Sequence, residues 1–409
     1  MITVDSLNFR NERALIRVDF NVPLDKTTFQ VTDETRIKSA MPTIQKVLKD
    51  GGSVVLMSHL GRPKGTKEKK YSLSHTISTL EKYLGQKIKF VDDCISSEAF
   101  EQSSLLKPGE VLLLENLRFY EEEEKGDKGF AEKLGRHGTI YINDAFGTAH
   151  RSHASTTIVA EFFPKNKKCF GYLMAKEVEN LRKILNQPEK PFTAIVGGSK
   201  VSDKIKVLEA LLKVADNIII GGAMAFTFVK AQGGNIGKSL CEDDYIEIAL
   251  NFLNQVEIKN LKEIKNIRVF LPIDAVCATE YADTSDKCIY PINKIPIEWM
   301  GLDIGPKSIQ IFKDVIASSK SILWNGPMGV FEFSNFEEGT KQIAYAVADA
   351  TNNKQAFSVV GGGDSVAAIN KFHLDEQISF ISTGGGAILE FIEKGSLPGI
   401  DAIERDDAL

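Results

Sequence analysis

Short runs of apolar residues recur along the whole chain, and a longer stretch with helical spacing separates each run from the next. The first half contains RALIRVDF, GSVVLMS, KIKFV, EVLLLEN and TIYIND, and the second half contains FTAIVGG, NIIIGG, RVFLPID, SILWNG, FSVVGGG and SFISTGGG. Strands that alternate with helices form βαβ units, and strands that are apolar on both faces lie inside a parallel sheet. The pattern predicts an α/β fold built on doubly wound, mostly parallel sheets.

A helical stretch that ends in prolines, LMAKEVENLRKILNQPEKP, separates the two halves. Its apolar residues between Val178 and Leu185 form one stripe, and Pro188 ends the helical pattern. A chain of 409 residues is also too long for one compact core. We expect a first domain over residues 1–170, a linker helix over 171–190 and a second domain over 191–394.

The composition excludes several classes of protein. Hydrophobic residues make up 43% of the chain and charged residues 26%, as in ordinary soluble globular proteins. The net charge is −5 and no long basic block occurs, so we expect neither a nucleic-acid nor a membrane partner. Five widely spaced cysteines without a CxxC pair favour a reducing cytosol. We see no secretory leader and no apolar run of about 20 residues, and we expect a cytoplasmic protein.

The strands of the first half end in polar and basic side chains. Ligands bind at the carboxyl ends of strands in open parallel sheets, so these residues are candidate ligand-binding residues. Arginines offer forked donors that match carboxylate and phosphate, and several converging arginines favour a small, multiply charged anion. The candidates are Asp19, Asn21, His59, Arg62, Arg118, His150, Arg151 and His153, with Arg36 at the start of a helix.

The strands of the second half end in glycines. A glycine at a strand-to-helix turn lets backbone N–H groups approach a phosphate, which suits a nucleotide. These glycines are Gly197–Gly198, Gly221–Gly222, Gly326, Gly361–Gly363 and Gly384–Gly386.

Charged residues accompany the glycines. Lys200 and Lys204 can hold phosphate oxygens if a helix begins near Val201. Asp364 follows three glycines and is either a helix cap or a Mg²⁺ ligand beside phosphates. Asn325 and Glu332 share one loop, where Glu332 can accept hydrogen bonds from ribose hydroxyls, and the residues alone leave this role open.

Each signal also has a plain structural explanation. A single arginine after a strand is usually a solvated loop residue, a single histidine can be a satisfied core residue, and one glycine pair is usually a tight turn. The grouping of basic ends in one half and glycine ends in the other favours binding. The acidic stretch FYEEEEKGDKGF at 119–130 is expected to be a solvated loop and helix start. QGGNIGKS lacks the first glycine of a P-loop.

Ten motifs occur in a specific order along the chain: RVDFNVPL, TRIKSAMPTI, SHLGRP, ENLRF, NDAFGTAHRSH, GGSKVSDKI, GGAMAFTF, WNGPMGVFE, GGGDS and STGGGA. With this ordered set the chain closely resembles the phosphoglycerate kinase family over essentially its whole length. The resemblance implies two Rossmann-like domains joined by a helix, with a deep cleft between them. It also implies that residues 395–409 return to the first domain and that the protein is a monomer.

The resemblance implies reversible phosphoryl transfer in glycolysis and gluconeogenesis, from 1,3-bisphosphoglycerate to ADP, with Mg²⁺, giving 3-phosphoglycerate and ATP. The implied substrate-binding residues are Asp19, Asn21, Arg36, His59, Arg62, Arg118 and Arg151. The implied nucleotide-binding residues are Lys204, Gly221, Gly222, Gly301, Leu302, Asn325, Glu332, Gly362, Gly363, Asp364 and Ser365. Asp364 would hold the metal, and Arg36, Lys200 and Gly385 would lie at the transferred phosphoryl group.

The chemistry of this reaction fits the residues. The acceptor carboxylate is already ionised at neutral pH, so no general base is needed, and catalysis becomes positioning and charge neutralisation. Two sites on separate domains must meet, so in-line transfer on domain closure is expected. A dinucleotide-dependent dehydrogenase would need GxGxxG with an acidic residue about 20 positions later, and that motif is missing. A non-catalytic anion-binding module leaves the glycine ends unexplained.

Overall fold

The chain forms two compact units in the computed structural model, which describes residues 1–263, 266–283 and 286–405. Unit 1 comprises Met1–Glu179 and the segment that begins at Ser396, and unit 2 comprises Asn180–Gly395. Across the described ranges, no helix combines the length and the apolar character that a crossing of the bilayer requires.

Unit 1 is built on a sheet of six parallel strands. Its strands are β1 (Arg13–Val18), β2 (Ser53–Met57), β3 (Lys89–Val91), β4 (Val111–Leu114), β5 (Ile140–Asp144) and β6 (Lys168–Phe170). They lie in the order β3-β4-β2-β1-β5-β6, and every neighbouring pair is parallel. All residues of β2, β4 and β5 are buried, because helices cover both faces of a parallel sheet.

The helices of unit 1 begin and end at residues suited to that position. They are α1 (Thr35–Lys49), α2 (Ile77–Leu84), α3 (Ser97–Ser104), α4 (Glu121–Lys125), α5 (Lys128–Gly135) and α6 (Tyr172–Asn186). Ser96 and Asp127 cap α3 and α5 by accepting backbone N–H groups at 3.1 and 2.7 Å. Gly85 ends α2 in the left-handed region at φ 68°. The boundary between unit 1 and unit 2 lies within α6, between Glu179 and Asn180.

Unit 2 contains a second sheet of six parallel strands and two small sheets. Its strands are β7 (Phe192–Val196), β8 (Asn217–Ile220), β9 (Asn235–Ile236), β10 (Arg268–Phe270), β11 (Asp274–Ala278), β12 (Lys287–Pro291), β13 (Lys294–Ile295), β14 (Met300–Ile304), β15 (Ser321–Asn325), β16 (Phe357–Gly361) and β17 (Phe380–Ile381). The large sheet has the order β10-β8-β7-β15-β16-β17, and β11 pairs antiparallel with β12 and β14.

The remaining helices are α7 (Ile205–Leu211), α8 (Met224–Ala231), α9 (Ile246–Glu263), α10 (Pro306–Ala317), α11 (Glu338–Lys354), α12 (Gly363–Lys371), α13 (Gly386–Lys394) and α14 (Pro398–Glu404). The last of them, α14, belongs to unit 1. The N–H of Gly399 donates to Ala149 O at 2.8 Å. A Cβ at Gly399 would lie 3.1 Å from Ala149 Cα, so the backbone approaches closely there.

The predicted α/β class is confirmed, since each unit contains six parallel strands. One local expectation is wrong: α7 begins at Ile205 rather than near Val201. Glu242 accepts hydrogen bonds from the N–H and hydroxyl of Ser202, at 3.0 and 2.6 Å, and residues 201–204 form a turn. Both Lys200 and Lys204 therefore precede the helix.

Candidate functional site

The anion-binding residues predicted in unit 1 follow neighbouring parallel strands. Because β4, β2, β1 and β5 are adjacent and parallel, their carboxyl ends lie at one edge of the sheet. Asp19 and Asn21 follow β1, His59 and Arg62 follow β2, Arg118 follows β4, Arg151 follows β5, and Arg36 lies in the first turn of α1. All seven thus come from one region of unit 1.

Gly61 lies where three of these loops meet. Its N–H donates to Asn21 Oδ1 at 2.9 Å, and its carbonyl oxygen accepts from Arg118 Nη1 at 2.9 Å. Asn116 fixes the same region, because its amide donates to Leu60 O at 2.7 Å and accepts the Arg118 N–H at 3.0 Å. The loops after β1, β2 and β4 are therefore held together by hydrogen bonds to backbone groups.

His59 is buried among positive charges. Its Nδ1 lies 3.2 Å from Arg17 Nη2, and only 4% of the residue is exposed. Burial lowers the pKa of His59 well below its usual value, and the charges of Arg17, Arg118, Arg151 and Arg36 lower it further. The imidazole is therefore neutral, and the four guanidinium groups create a positive field around it.

The arginines of this cluster differ in exposure. Arg118 is buried, its Nε lies 3.2 Å from Glu124 Oε1, and burial lowers its pKa to about 10, so it stays charged at neutral pH. Arg36 is exposed and forms an ion pair with Asp19. Arg151 donates from Nε to His150 at 3.3 Å. Arg62 is exposed, and among the described residues it makes no hydrogen bond or ion pair with the others.

Sequence reasoning missed two charged residues behind this cluster. The stretch 119–130 was expected to be solvated, but Glu123 in α4 is fully buried. Ser155 explains this burial, because its N–H and hydroxyl donate to the two carboxylate oxygens at 2.9 and 2.5 Å. Burial raises the pKa of Glu123, while the charge of Arg17 and the Ser155 hydrogen bonds oppose that rise. The one available signal for Arg17 was a charged residue in the middle of an apolar strand.

Unit 2 contains a cavity of about 540 Å³. Five of the predicted nucleotide-binding residues line it: Gly222, Gly301, Leu302, Glu332 and Asp364. Apolar side chains, among them Phe226, Ile292, Met300, Met328 and Val330, form much of the remaining wall. An apolar wall with a few polar groups at its edge is typical of a small-molecule site.

Two glycines of the cavity have no room for a side chain. A Cβ at Gly301 would lie 2.2 Å from the ring of Phe226. Gly222 has φ +69°, and a Cβ there would lie 2.5 Å from Gly198 O. The backbone of Gly222 and Gly301 and the ring of Phe226 can therefore line the cavity directly. A larger residue at either glycine position would displace a neighbour.

The loops after β15 and β16 are tied together beside the cavity. Asn325 accepts a hydrogen bond from Lys204 Nζ and donates to Gly361 O at 2.8 Å. Ser365 Oγ accepts the Gly326 N–H at 2.6 Å. Burial lowers the pKa of Lys204 to about 8, although Asp203 and Asp364 oppose this shift. The ammonium of Lys204 is thus poorly solvated and suited to an anionic partner.

The other predicted residues of unit 2 occupy turns and helix starts. Gly221 follows β8, Gly362 precedes α12 at φ +93°, and Gly363 is the first residue of α12. Gly385 precedes α13 at φ +54°. Lys200 is exposed, and the structure gives it no hydrogen bond to the other described residues of the set.

The carboxylate of Asp364 is exposed in the first turn of α12 and lines the cavity. Within the described ranges, no group of three or more His, Cys, Asp or Glu residues is arranged to hold a metal. Mg²⁺ commonly binds through one or two carboxylates together with the phosphates of a substrate. One carboxylate at a nucleotide-sized cavity fits that manner of binding.

Known proteins resemble this chain over nearly its whole length. The family model described as phosphoglycerate kinase matches residues 4–395. The chain is 46% identical to phosphoglycerate kinase from Porphyromonas gingivalis, over 98% of this chain and 100% of that protein. It is 49% identical to the enzyme from Borrelia duttonii, over 98% and 99% of the two chains.

Solved structures give the same result. The chain matches the structure of phosphoglycerate kinase from Coxiella burnetii with a TM-score of 0.89 and 39% identity, over 98% of both chains. It matches phosphoglycerate kinase from Pyrococcus horikoshii with a TM-score of 0.80 and 30% identity, over 99% of this chain and 98% of that one. Sequence and fold together show that the chain belongs to the phosphoglycerate kinase family.

Proposed function

We propose how this chain carries out the reaction of its family, the reversible transfer of a phosphoryl group between 1,3-bisphosphoglycerate and ADP to give 3-phosphoglycerate and ATP. Unit 1 binds the phosphoglycerate, and unit 2 binds the nucleotide. The observation that carries the proposal is the cluster of arginines around the buried His59, where Arg17 Nη2 lies 3.2 Å from His59 Nδ1 and Arg118 donates to Gly61 O in the same loop. The charges of Arg36 and Arg151 act on the same ring. Such a field favours a small anion with several charges.

In unit 1 different residues bind different parts of the substrate. Arg62, Arg118 and Arg151 hold the phosphate that is not transferred, since guanidinium groups bind phosphate through two parallel hydrogen bonds. Asp19, Asn21 and His59 orient the rest of the molecule. Arg36 reaches the transferred group when its ion pair with Asp19 opens.

In unit 2 the cavity takes the nucleoside and the glycine turns take the phosphates. Three residues that line the cavity, Gly222, Gly301 and Leu302, contact the base together with Gly221 at the end of β8. Glu332 accepts from the ribose hydroxyls. Lys204 and Asn325 hold the phosphates together with the backbone of Gly362, Gly363 and Ser365.

Asp364 would hold Mg²⁺ in this arrangement, because its exposed carboxylate borders the cavity. The ion supplies positive charge that offsets the charge of the nucleotide phosphates. Lys204 lies close enough for its charge to interact with Asp364, so lysine and metal would share the same anionic oxygens.

The chemical step needs charge stabilisation rather than proton transfer. The attacking group in ATP formation is a phosphate oxygen of ADP, and the acceptor in the reverse direction is an ionised carboxylate. Lys200 and Arg36 stabilise the negative charge on the transferred phosphoryl group, with Gly385 beside it. In-line transfer requires the two bound substrates to meet, so we propose that domain closure accompanies each turnover.

A coupled assay with purified protein tests the proposed function. It follows ATP-dependent phosphorylation of 3-phosphoglycerate in the presence of Mg²⁺. We expect turnover that depends on all three components. Folded protein that binds anions without any turnover would support the non-catalytic alternative instead.

Substitution of Lys200 tests the proposed role in the chemical step. Lys200→Ala is expected to lower kcat about 100-fold with little change in either KM, because the contact strengthens in the transition state. Lys206→Ala is the matched control, since Lys206 is an exposed lysine of α7 that pairs with Glu393. A rise in KM at unchanged kcat would assign Lys200 to ground-state binding.

We also propose that the chain works as a monomer in the cytosol, with no nucleic-acid or membrane partner. Its five cysteines are free, and its net charge of −5 disfavours polyanionic partners. Light scattering in solution is expected to give the mass of one chain, 45.2 kDa, and a doubled mass would contradict the monomer.

A further inference from the structure

A line of four buried polar side chains runs from His59 into the interior of unit 1. Arg17 Nη2 lies 3.2 Å from His59 Nδ1, and Arg17 Nε donates to Ser155 Oγ at 2.9 Å. Ser155 Oγ donates in turn to Glu123 Oε1 at 2.5 Å. None of the four residues is more than 4% exposed. We call this line the Glu123 relay.

The direction of each hydrogen bond in the Glu123 relay follows from the groups themselves. Arginine has only donors, so His59 Nδ1 must accept and can carry no proton. A neutral imidazole has a single N–H, which must then be on Nε2. Ser155 Oγ accepts from Arg17, so its own hydrogen is free to point at Glu123. Both oxygens of Glu123 accept from Ser155, as an ionised carboxylate does.

The charges around His59 also favour its neutral form. The largest charge effects on His59 come from the positive groups of Arg17, Arg118, Arg151 and Arg36, so a second ring proton is disfavoured. A second histidine lies beside the relay, with His153 Nδ1 3.9 Å from Glu123 Oε1.

Glu123 also balances the charge of Arg17. A guanidinium that is 1% exposed needs an opposite charge within reach, and the charge of Arg17 acts directly on the Glu123 carboxylate. Without that carboxylate, Arg17 would lose the compensation that holds it in place. Hydrogen bonds from Arg17 to Val18 O and Ser155 Oγ would then be its remaining anchors, and we expect its donor to His59 Nδ1 to be less well fixed.

We propose that Glu123 and Ser155 are positioning residues: they hold Arg17 so that His59 keeps its proton on Nε2 and presents an N–H donor to the bound phosphoglycerate. This inference rests on the proposed function of unit 1. An N–H attracts a carboxylate or phosphate oxygen, whereas the other neutral tautomer could present a lone pair there and repel the anion. The relay therefore decides whether His59 helps or hinders binding.

Nuclear magnetic resonance of ¹⁵N-histidine-labelled protein measures the tautomer directly. The chain has six histidines, and His59→Gln identifies the signal of His59. Long-range ¹⁵N–¹H correlations at pH 7 are expected to show a neutral His59 ring with an unprotonated Nδ1 and a protonated Nε2. This measurement needs no substrate and no turnover.

Two variants interrupt the relay at different points. Ser155→Ala removes the hydroxyl between Arg17 and Glu123, and Glu123→Gln removes the charge with little change in shape. In each we expect a mixture of His59 tautomers and a rise of about tenfold in KM for 3-phosphoglycerate, with KM for ATP unchanged. Ser155→Thr retains the hydroxyl, so we expect this variant to keep the single His59 tautomer and the KM for 3-phosphoglycerate of the unmodified protein.

Ser103→Ala is the matched control. Ser103 is a buried serine whose Oγ lies 2.9 Å from Nδ1 of another buried histidine, His137, elsewhere in unit 1. Its removal should leave the His59 signal and both KM values as they were.

The outcomes separate the inference from the proposed function. A proton on Nδ1 of His59 in the unmodified protein, or a His59 signal unaffected by Ser155→Ala and Glu123→Gln, would overturn the relay. If one variant does not fold, the other variant and the unmodified protein still show whether the relay sets the His59 tautomer. A protein without turnover but with the Nε2–H tautomer would refute the proposed function and leave the relay standing.

Discussion

Burial determines what several charged side chains of the two candidate sites can do. His59 is enclosed by arginines and stays neutral, so it can orient an anion but offers no extra positive charge. Arg118 is 4% exposed and still charged, because a guanidinium resists deprotonation even when burial lowers its pKa to about 10. In the proposed anion site, both residues therefore orient the ligand within a positive field that the other arginines also supply.

Lys204 gives a prediction on pH. Burial lowers its pKa to about 8 in the free protein, so near pH 8 about half of the molecules carry a neutral lysine. Phosphate oxygens beside it favour the charged form and raise the pKa again. Binding of Mg²⁺·ATP at pH 8 should therefore take up a fraction of a proton, and affinity should fall as the pH rises above 8.

Isothermal titration calorimetry in two buffers of different ionisation enthalpy measures this uptake. Lys204→Met is expected to abolish the proton uptake and to raise KM for ATP about tenfold or more, since a charged hydrogen bond to phosphate is lost. Equal apparent enthalpies in the two buffers at pH 8 would show that Lys204 does not meet the phosphates.

The sequence identified charged residues that directly follow a strand, but it did not identify the buried charged residues that contact them from other parts of the chain. Arg118 and Arg151 follow apolar runs, and parallel strands bring such ends to one edge of a sheet. Glu123 is one of four consecutive glutamates, 121–124, and contacts with distant residues distinguish it, above all the one with Ser155, 32 positions later. Long-range contacts of this kind leave no periodic pattern in the sequence.

The secondary-structure elements show the same division. The apolar runs predicted the long parallel strands, because burial on both faces requires continuous apolar sequence. The antiparallel strand β12 was missed, since its residues are mostly exposed and its apolar run, residues 288–290, is only three residues long. Helix α7 starts late because Glu242, 40 positions later in the chain, accepts the hydrogen bonds of Ser202.

His137, two residues after α5, contacts residues in and near α3. These contacts lead to a prediction on stability. Its ring lies 2.9 Å from both Ser103 Oγ and Cys94 O and stacks on Phe100 with centroids 4.8 Å apart. Burial lowers its pKa from 6.5 to about 4. Between these values the unfolded chain binds the proton more readily, so this contribution to stability is complete above pH 6.5 and is lost as the pH falls to about 4.

Native-state hydrogen exchange of the slowest amides in β1 and β5, corrected for intrinsic rates, measures this loss. In His137→Gln the pH dependence of the unfolding free energy of unit 1 below pH 6 should decrease by up to about 1.4 kcal/mol per pH unit. His373→Gln provides the control, because His373 is exposed and lies in unit 2. An unchanged slope in His137→Gln would mean that His137 does not titrate on unfolding.

At the scale of the whole molecule, the chain places two kinds of strand end on two separate sheets. One sheet ends in arginines around His59, and the other ends in glycines beside an apolar cavity. The sequence alone could predict this division, because it depends on local runs and the residues that follow them. It could not predict the shape of the cavity, since β11, β14 and α8 contribute wall residues that are far apart in the chain.

Hydrogen–deuterium exchange with each substrate alone tests most directly the claim that unit 1 binds the phosphoglycerate and unit 2 the nucleotide. We expect 3-phosphoglycerate to slow exchange in segments 59–62 and 116–120 of unit 1 and to leave segments 221–227 and 300–304 of unit 2 unchanged. Mg²⁺·ATP should do the reverse. Protection of the unit 2 segments by 3-phosphoglycerate, with none in unit 1, would refute the proposed assignment of the two substrates.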